Sequence, residues 1–216
     1  MPKQKASTLP RPQPLKSEPA MATLCGLILA AGASSRMGRD KALLPWPASG
    51  HTTLLSASIC ALKPVTETIV VVAGSNATQL APVIEASGAR IAINPSPELG
   101  QFSSLRIGLS AVIASGCDAA MITPVDCPPL GAPSLELLCA EFERALARGQ
   151  WAVAPQNSGR RGHPLIAGRA LIDAFLNAEP TSNAREVKNA YSQFFTYVPV
   201  PDLHLSADMK IGRAHV

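Results

Sequence analysis

Short apolar and β-branched runs alternate with stretches of helical spacing along most of this chain, and few folds accept such a pattern. Residues 24–30 and 68–73 are too short and too apolar for surface helices and read as buried strands. Helical spacing follows over residues 77–86, and residues 89–93 read as another strand. Residues 103–114 predict a helix, 119–123 a strand, and 133–148 a long amphipathic helix opened by Pro133. Later strands are predicted at 151–155, 165–166 and 194–200, with helices at 170–176 and 183–191. This order implies an α/β fold with a mostly parallel sheet between two helical layers, a three-layer α/β/α arrangement. No internal repeat is evident.

At 216 residues with 47% hydrophobic side chains, the chain can fill one substantial core. Residues 1–22 are rich in Pro, Lys, Ser and Gln and bury too little to offset ordering, so they are expected to be a disordered extension, with Met21 a candidate start. The net charge of +4 sits at the ends: residues 1–22 hold +3 and the last seven +2, leaving −1 between them. That balance argues against nucleic acid as the main partner. No stretch has the roughly 18 apolar residues a membrane span needs, nor is there a secretory signal, so a cytoplasmic protein is expected. Cys25, Cys60, Cys117, Cys127 and Cys139 contain no C-x-x-C pair and read as free thiols, indicating neither a disulfide framework nor a zinc site.

The chemistry concentrates in the run Leu29-Ala30-Ala31-Gly32-Ala33-Ser34-Ser35-Arg36-Met37-Gly38-Arg39-Asp40-Lys41, directly behind the first strand. Its small residues leave backbone N–H groups open to an anion, while Arg36 and Lys41 add a forked and a mobile cation. Together they can neutralise a triphosphate. No G-x-x-x-x-G-K-[ST] exists, and no G-x-G-x-x-G follows a predicted strand, which sets aside two other phosphate loops. In a mostly parallel sheet the loops after residues 30, 73 and 123 share the ligand-binding rim. The third holds Asp126 in Thr123-Pro124-Val125-Asp126-Cys127-Pro128, and that carboxylate can either hold magnesium beside substrate phosphates or bond to turn amides.

The Leu29–Lys41 run fills every fixed position of L-A-[AG]-G-x-[SG]-x-R-M-G-x-x-K, and on this ground the chain resembles the MobA-like nucleotidyltransferases. The resemblance covers roughly residues 24–209 and is closest to the molybdenum cofactor cytidylyltransferases. It implies a Rossmann-like fold of the nucleotide-diphospho-sugar transferase type. It also implies transfer of a nucleoside monophosphate from CTP or GTP to molybdopterin or a similar phosphorylated acceptor, with Mg2+ as cofactor and pyrophosphate released. A molybdoenzyme receiving the product is a further implied partner. On this resemblance Arg36, Lys41 and Asp126 are the catalytic candidates, with Asp126 the metal ligand through a D-x-P loop. Leu29, Ala30, Ala31, Gly32, Ser34, Ser35, Arg36 and Lys41 would bind nucleotide. Ser103 and Ser104, in a stretch resembling N-P-x-x-x-x-G-x-x-x-S-L, would join them or serve as helix caps. Gly162, His163 and Pro164 resemble a G-H-P turn beside the acceptor, with Arg160 and Arg161 either receiving an anion or lying in an exposed loop. Ala31 in place of the second glycine of L-A-G-G leans towards CTP.

The [ND]-T-P-E-D segment expected after residue 209 is absent, and Lys210-Ile211-Gly212-Arg213-Ala214-His215-Val216 stands there instead. Those residues match one reading frame of a sequencing adapter, so 210–216 is expected to be a non-native tail and 23–209 a nucleotidyltransferase domain that is truncated at its C-terminus, the natural chain continuing past Met209. Two other functions stay open on sequence: the same core used with GTP or another acceptor, and a non-catalytic module that binds nucleotide or hands cofactor to a partner.

Overall fold

The computed structural model describes residues 22–32, 40–47, 49–179 and 181–201. The eight strands of these residues form one sheet: β1 (Leu24–Leu29), β2 (Thr68–Ala73), β3 (Arg90–Ile93), β4 (Ala119–Pro124), β5 (Ala152–Asn157), β6 (Arg160–Arg161), β7 (Leu165–Gly168) and β8 (Phe195–Pro199). Their order is β3-β2-β1-β4-β7-β5-β6, with β8 paired to β5. Pairing is parallel from β3 through β4 and between β5 and β8, while β7 runs antiparallel to both of its neighbours. β1 therefore lies between β2 and β4, covered on both faces, which is why Leu24-Cys25-Gly26-Leu27-Ile28-Leu29 carries no polar alternation.

Alternate residues of the central strands divide between two cores. Ile28, Val71 and Met121 face a layer containing Leu55, Ile59, Leu80, Ile84, Leu135, Leu138 and Phe142. These come from helices α1 (Leu54–Leu62), α2 (Ala77–Ser87) and α4 (Ala132–Ala147). Leu27, Leu29, Val70, Val72, Ala120 and Ile122 face the opposite layer, with Phe102, Leu105, Leu109, Leu171, Ile172, Phe175 and Val187. That layer comprises α3 (Gln101–Ala114), α5 (Arg169–Leu176) and α6 (Ala184–Ala190). The period-2 geometry of a strand produces this division, and it gives the three layers expected from sequence. Helix α3 lies so close to the sheet that a Cβ on Gly108 would sit 2.6 Å from Leu27 Cδ1 and 2.8 Å from Val72 Cγ2.

Helix α1 and the two-residue β6 are additions to the sequence reading, and the other elements differ from it by one or two residues at most ends. Among the described residues no helix is long and apolar enough to cross a membrane. The five cysteines are free, and burial pushes the Cys25 thiol up to about 12. The extension at 1–20, the residues Ser34, Ser35 and Arg36, and the segment from Asp202 to Val216 lie outside the described residues.

Candidate active site

The segments that follow β1, β3 and β4 converge at the carboxyl end of the sheet, and a cleft of about 290 Å³ opens among them; the loop after β2, expected from sequence to share the rim, supports it from behind and contributes no lining residue among those described. Leu29, Ala31 and Gly32 line it from β1, and Pro124, Val125 and Asp126 from β4. Lys41 and Asp40 close one side, and Pro97, Gly100, Gln101 and Ser104 the other. Convergence of the loops requires a small residue after β2. A Cβ on Gly74 would lie 3.0 Å from the Ala31 carbonyl and 3.1 Å from Pro97 Cγ, so Gly74 lets three segments touch.

Lys41 begins a short 3-10 turn, Lys41–Leu43, capped by Asp40, whose Oδ1 accepts the Ala42 N–H at 2.9 Å. From there Lys41 Nζ reaches Asp126 Oδ2 at 3.1 Å, and both side chains are 34% exposed. The pair brings a cation and a carboxylate together on one wall, half in water, where the ion pair is only partly strengthened by burial. Gly32 is exposed, and among the described residues a Cβ built there meets nothing within 4 Å. The chain at this point forms part of the cleft wall.

The opposite wall is set by Asn94, which is 2% exposed. Its Nδ2 donates to Ser103 Oγ and Ser104 Oγ at 2.9 Å each, while its Oδ1 accepts the Ser96 N–H at 2.9 Å. Ser103 and Ser104 are not helix caps: α3 begins at Gln101 behind Gly100, which makes no side-chain cap and holds φ at +93°. Ser104 lines the cleft, whereas Ser103 donates to the Gly100 carbonyl at 2.8 Å and is not among the lining residues. With Gly100 at the N-cap, the first turn of α3 presents its amide end at the cleft wall, an arrangement favourable to anions.

Of the other residues singled out from sequence, Ala30 is buried and acts through its backbone, donating to the Val72 carbonyl and accepting from Asn76. Pro164 lies apart from the main cleft, in a small depression with Thr123, Pro128 and Pro129, so the Gly162-His163-Pro164 turn borders the loop that carries Asp126. Arg161 stacks over Tyr197, 4.1 Å from the ring centroid. Asp40, Gly100, Gln101 and Asn76 were not singled out. Asp40 is visible as the neighbour of Lys41 and Gly100 is the fixed glycine of the N-P-x-x-x-x-G stretch, but Gln101 and Asn76 carry no local signal.

Asp126 supplies hard carboxylate oxygens facing the cleft. Among the described residues no group of three or more His, Cys, Asp and Glu stands together to hold a metal ion. The hard oxygens of Asp126 suit a magnesium-like ion that takes a protein carboxylate and completes its shell with phosphate oxygens and water.

Residues 26–194 match the model of the MobA-like NTP transferase domain. The chain belongs to this family. Over 143 residues it is 32% identical to a protein of Rhodopirellula baltica described as a probable molybdenum cofactor guanylyltransferase, a stretch covering 66% of each chain. It is 26% identical over 167 residues to the molybdenum cofactor cytidylyltransferase of Escherichia coli K12, covering 77% of this chain and 81% of that one. Its fold superimposes on the Rv0371c protein of Mycobacterium tuberculosis H37Rv with a TM-score of 0.69 at 18% identity, over 87% of this chain and 94% of the other. A manganese complex of that protein aligns with a TM-score of 0.66 at 17% identity, over 83% and 89%. The MobA-like domain thus sits on the nucleotide-diphospho-sugar transferase fold.

Proposed function

We propose that this member of the MobA-like family is a nucleotidyltransferase that moves CMP from CTP to the phosphate of molybdopterin and releases pyrophosphate. The observation that carries this reading is the convergence of Lys41 and Asp126 across 85 residues of chain, at a cleft floored by Ala31 and Gly32. A triphosphate needs cations, open backbone amides and a carboxylate for a metal, and this cleft gathers all three. Relatives named as molybdenum cofactor guanylyl- and cytidylyltransferases supply the acceptor.

In the reaction, an oxygen of the acceptor phosphate attacks the α-phosphorus, the bond between that phosphorus and the α,β-bridging oxygen breaks, and pyrophosphate leaves. A phosphate monoester is already an anionic nucleophile, so alignment and charge neutralisation carry the catalysis. Lys41 would hold the phosphates of the nucleotide, with the backbone at Ala31-Gly32 and the first turn of α3 on either side. Arg36 would add a second cation, and Ser34 and Ser35 further contacts. Asp126 would hold magnesium, which when bound neutralises charge between the α-phosphate and the leaving group; the manganese complex of a protein of the same fold agrees with a divalent ion. The Gly162-His163-Pro164 turn, bordering the Asp126 loop, would receive the acceptor.

The preference for CTP rests on Ala31, a residue of the cleft lining that carries a methyl group where a glycine would leave more room for a purine. GTP is the second reading, favoured by the 32% identity to a guanylyltransferase. Pyrophosphate release with molybdopterin and each of CTP, GTP, ATP and UTP, with Asp126→Ala as control, tests both. Selective turnover with CTP that vanishes in the control supports the proposal. Turnover with GTP alone replaces it by the second reading, and silence with all four overturns the reaction in favour of another acceptor or a binding module.

A further inference from the structure

Asn76 lies in the loop between β2 and α2, and it is not among the residues lining the cleft. Its side-chain amide is nevertheless bonded to three partners. Oδ1 accepts the Gly74 N–H at 2.9 Å, while Nδ2 donates both to the Ala30 carbonyl at 2.8 Å and to Asp40 Oδ2. Gly74 is a donor and the other two partners are acceptors, so the orientation of the amide is determined by its surroundings. A carboxylate lacks the two donors, and a serine offers only one.

The bonds form a continuous connection. Asn76 ties the end of β1, through the Ala30 carbonyl, to Asp40, which is 36 residues away in sequence from Asn76. Asp40 in turn caps the turn that begins with Lys41, whose ammonium stands against Asp126. The two carboxylate oxygens of Asp40 have separate tasks: Oδ1 holds the turn and Oδ2 is held by Asn76. Asp40 thereby stays fixed relative to the sheet while the turn hangs from it.

We infer that Asn76 is a positioning residue that clamps Asp40 to the carboxyl end of β1 and so sets Lys41 over the cleft. Its effect on turnover rests on the cleft being the nucleotide site; its effect on the Lys41 turn does not. Removing the clamp frees the turn to open locally, and a displaced cation at a phosphate site loses rate steeply with distance.

The test uses the full chain with Asn76→Ala and Asn76→Asp. Hydrogen exchange at Ala42, Leu43 and Leu44 is expected to quicken roughly tenfold in both variants, with exchange in β1 and β4 unchanged. Nucleotidyl transfer is expected to lose about tenfold in kcat/KM in the wild-type background, but less than about twofold when Lys41→Met is already present, because both changes act through one group. Unchanged exchange at residues 42–44, a uniform rise throughout the sheet, or losses that multiply in the Lys41→Met background would each overturn the inference. If the unaltered chain transfers no nucleotide, the proposed reaction fails, and the exchange measurement still decides whether Asn76 clamps the turn.

Discussion

Lys41 Nζ lies 3.1 Å from Asp126 Oδ2, so the carboxylate best suited to a divalent ion already faces a cation supplied by another loop. The ammonium lowers the negative potential that a metal would find there. In nucleotide-free protein, Lys41→Met should therefore bind Mn2+ more tightly, by roughly three- to tenfold, since like charge no longer opposes the ion. Turnover should move the other way, with kcat/KM falling about 10²- to 10³-fold as charge stabilisation at the phosphates is lost. Electron paramagnetic resonance of free Mn2+ during titration reads the first effect, with Asp126→Asn as the variant that loses the site. Weaker Mn2+ binding by Lys41→Met would show that the pair does not compete with the metal.

Ala31 gives a second prediction, at the level of the base. Ala31 lines the cleft where the α3-side core meets it and is almost wholly buried, so Ala31→Gly removes one methyl group there without removing a charge or a hydrogen bond. One methyl group in a fitted pocket is worth on the order of 1–3 kcal/mol of discrimination. The ratio of kcat/KM for GTP over CTP should rise by about tenfold or more in the variant. An unchanged ratio in competition assays would place base selection elsewhere in the cleft.

How far the sequence was readable depends on the range of the forces involved. The central strands were legible because burial on both faces demands an unbroken apolar run, as in residues 24–29 and 68–73. The antiparallel direction of β7 was not, since it depends on pairing with β4, far away in sequence, as well as with the nearer β5. Helix α1 was hidden by its surroundings: Pro45, Pro47 and Gly50 precede it, and Ser58 interrupts its apolar face. At the site, Lys41 and Asp126 belong to short local motifs, whereas Asn76 works through partners 36 and 46 residues away that no local pattern reveals. The positive φ of Gly100 similarly follows from how the loop meets α3.

Gly108 should prove a packing glycine. Alanine in a helix interior is favoured over glycine by about 1 kcal/mol, which taken alone makes Gly108→Ala stabilising. Against this, the new methyl would stand 2.6 Å from Leu27 Cδ1 and 2.8 Å from Val72 Cγ2, and both residues are fully buried with no solvent to move into. Overpacking of this kind costs about 1–3 kcal/mol, so the variant should be less stable by about 1 kcal/mol, and Gly108→Val by more. Urea unfolding with an unchanged m-value checks it. A gain in stability for Gly108→Ala would mean that α3 can lift from the sheet freely.

Lys188 on α6 offers a prediction in which pH separates charge from packing. Burial, and then the nearby Arg161 and Arg185, push its ammonium below the usual lysine value of 10.5. The folded surroundings disfavour its charged form relative to the unfolded chain, so the charge costs stability wherever the unfolded chain keeps it. As pH rises through the lowered folded value towards 10.5, the folded state gives up its proton while the unfolded chain keeps it. Stability of the wild type should then increase with pH over that window through this group. Lys188→Met keeps the apolar stem and removes the charge. It should be more stable than the wild type by roughly 0.5–1 kcal/mol near pH 7.5, with the gap narrowing as pH approaches 10.5. Urea unfolding of both proteins at pH 7.5, 9 and 10.5 measures the difference, in which contributions from the buried thiols cancel. A gap that is absent at pH 7.5, or that widens as pH rises, would mean that the three cations do not oppose one another in the folded chain.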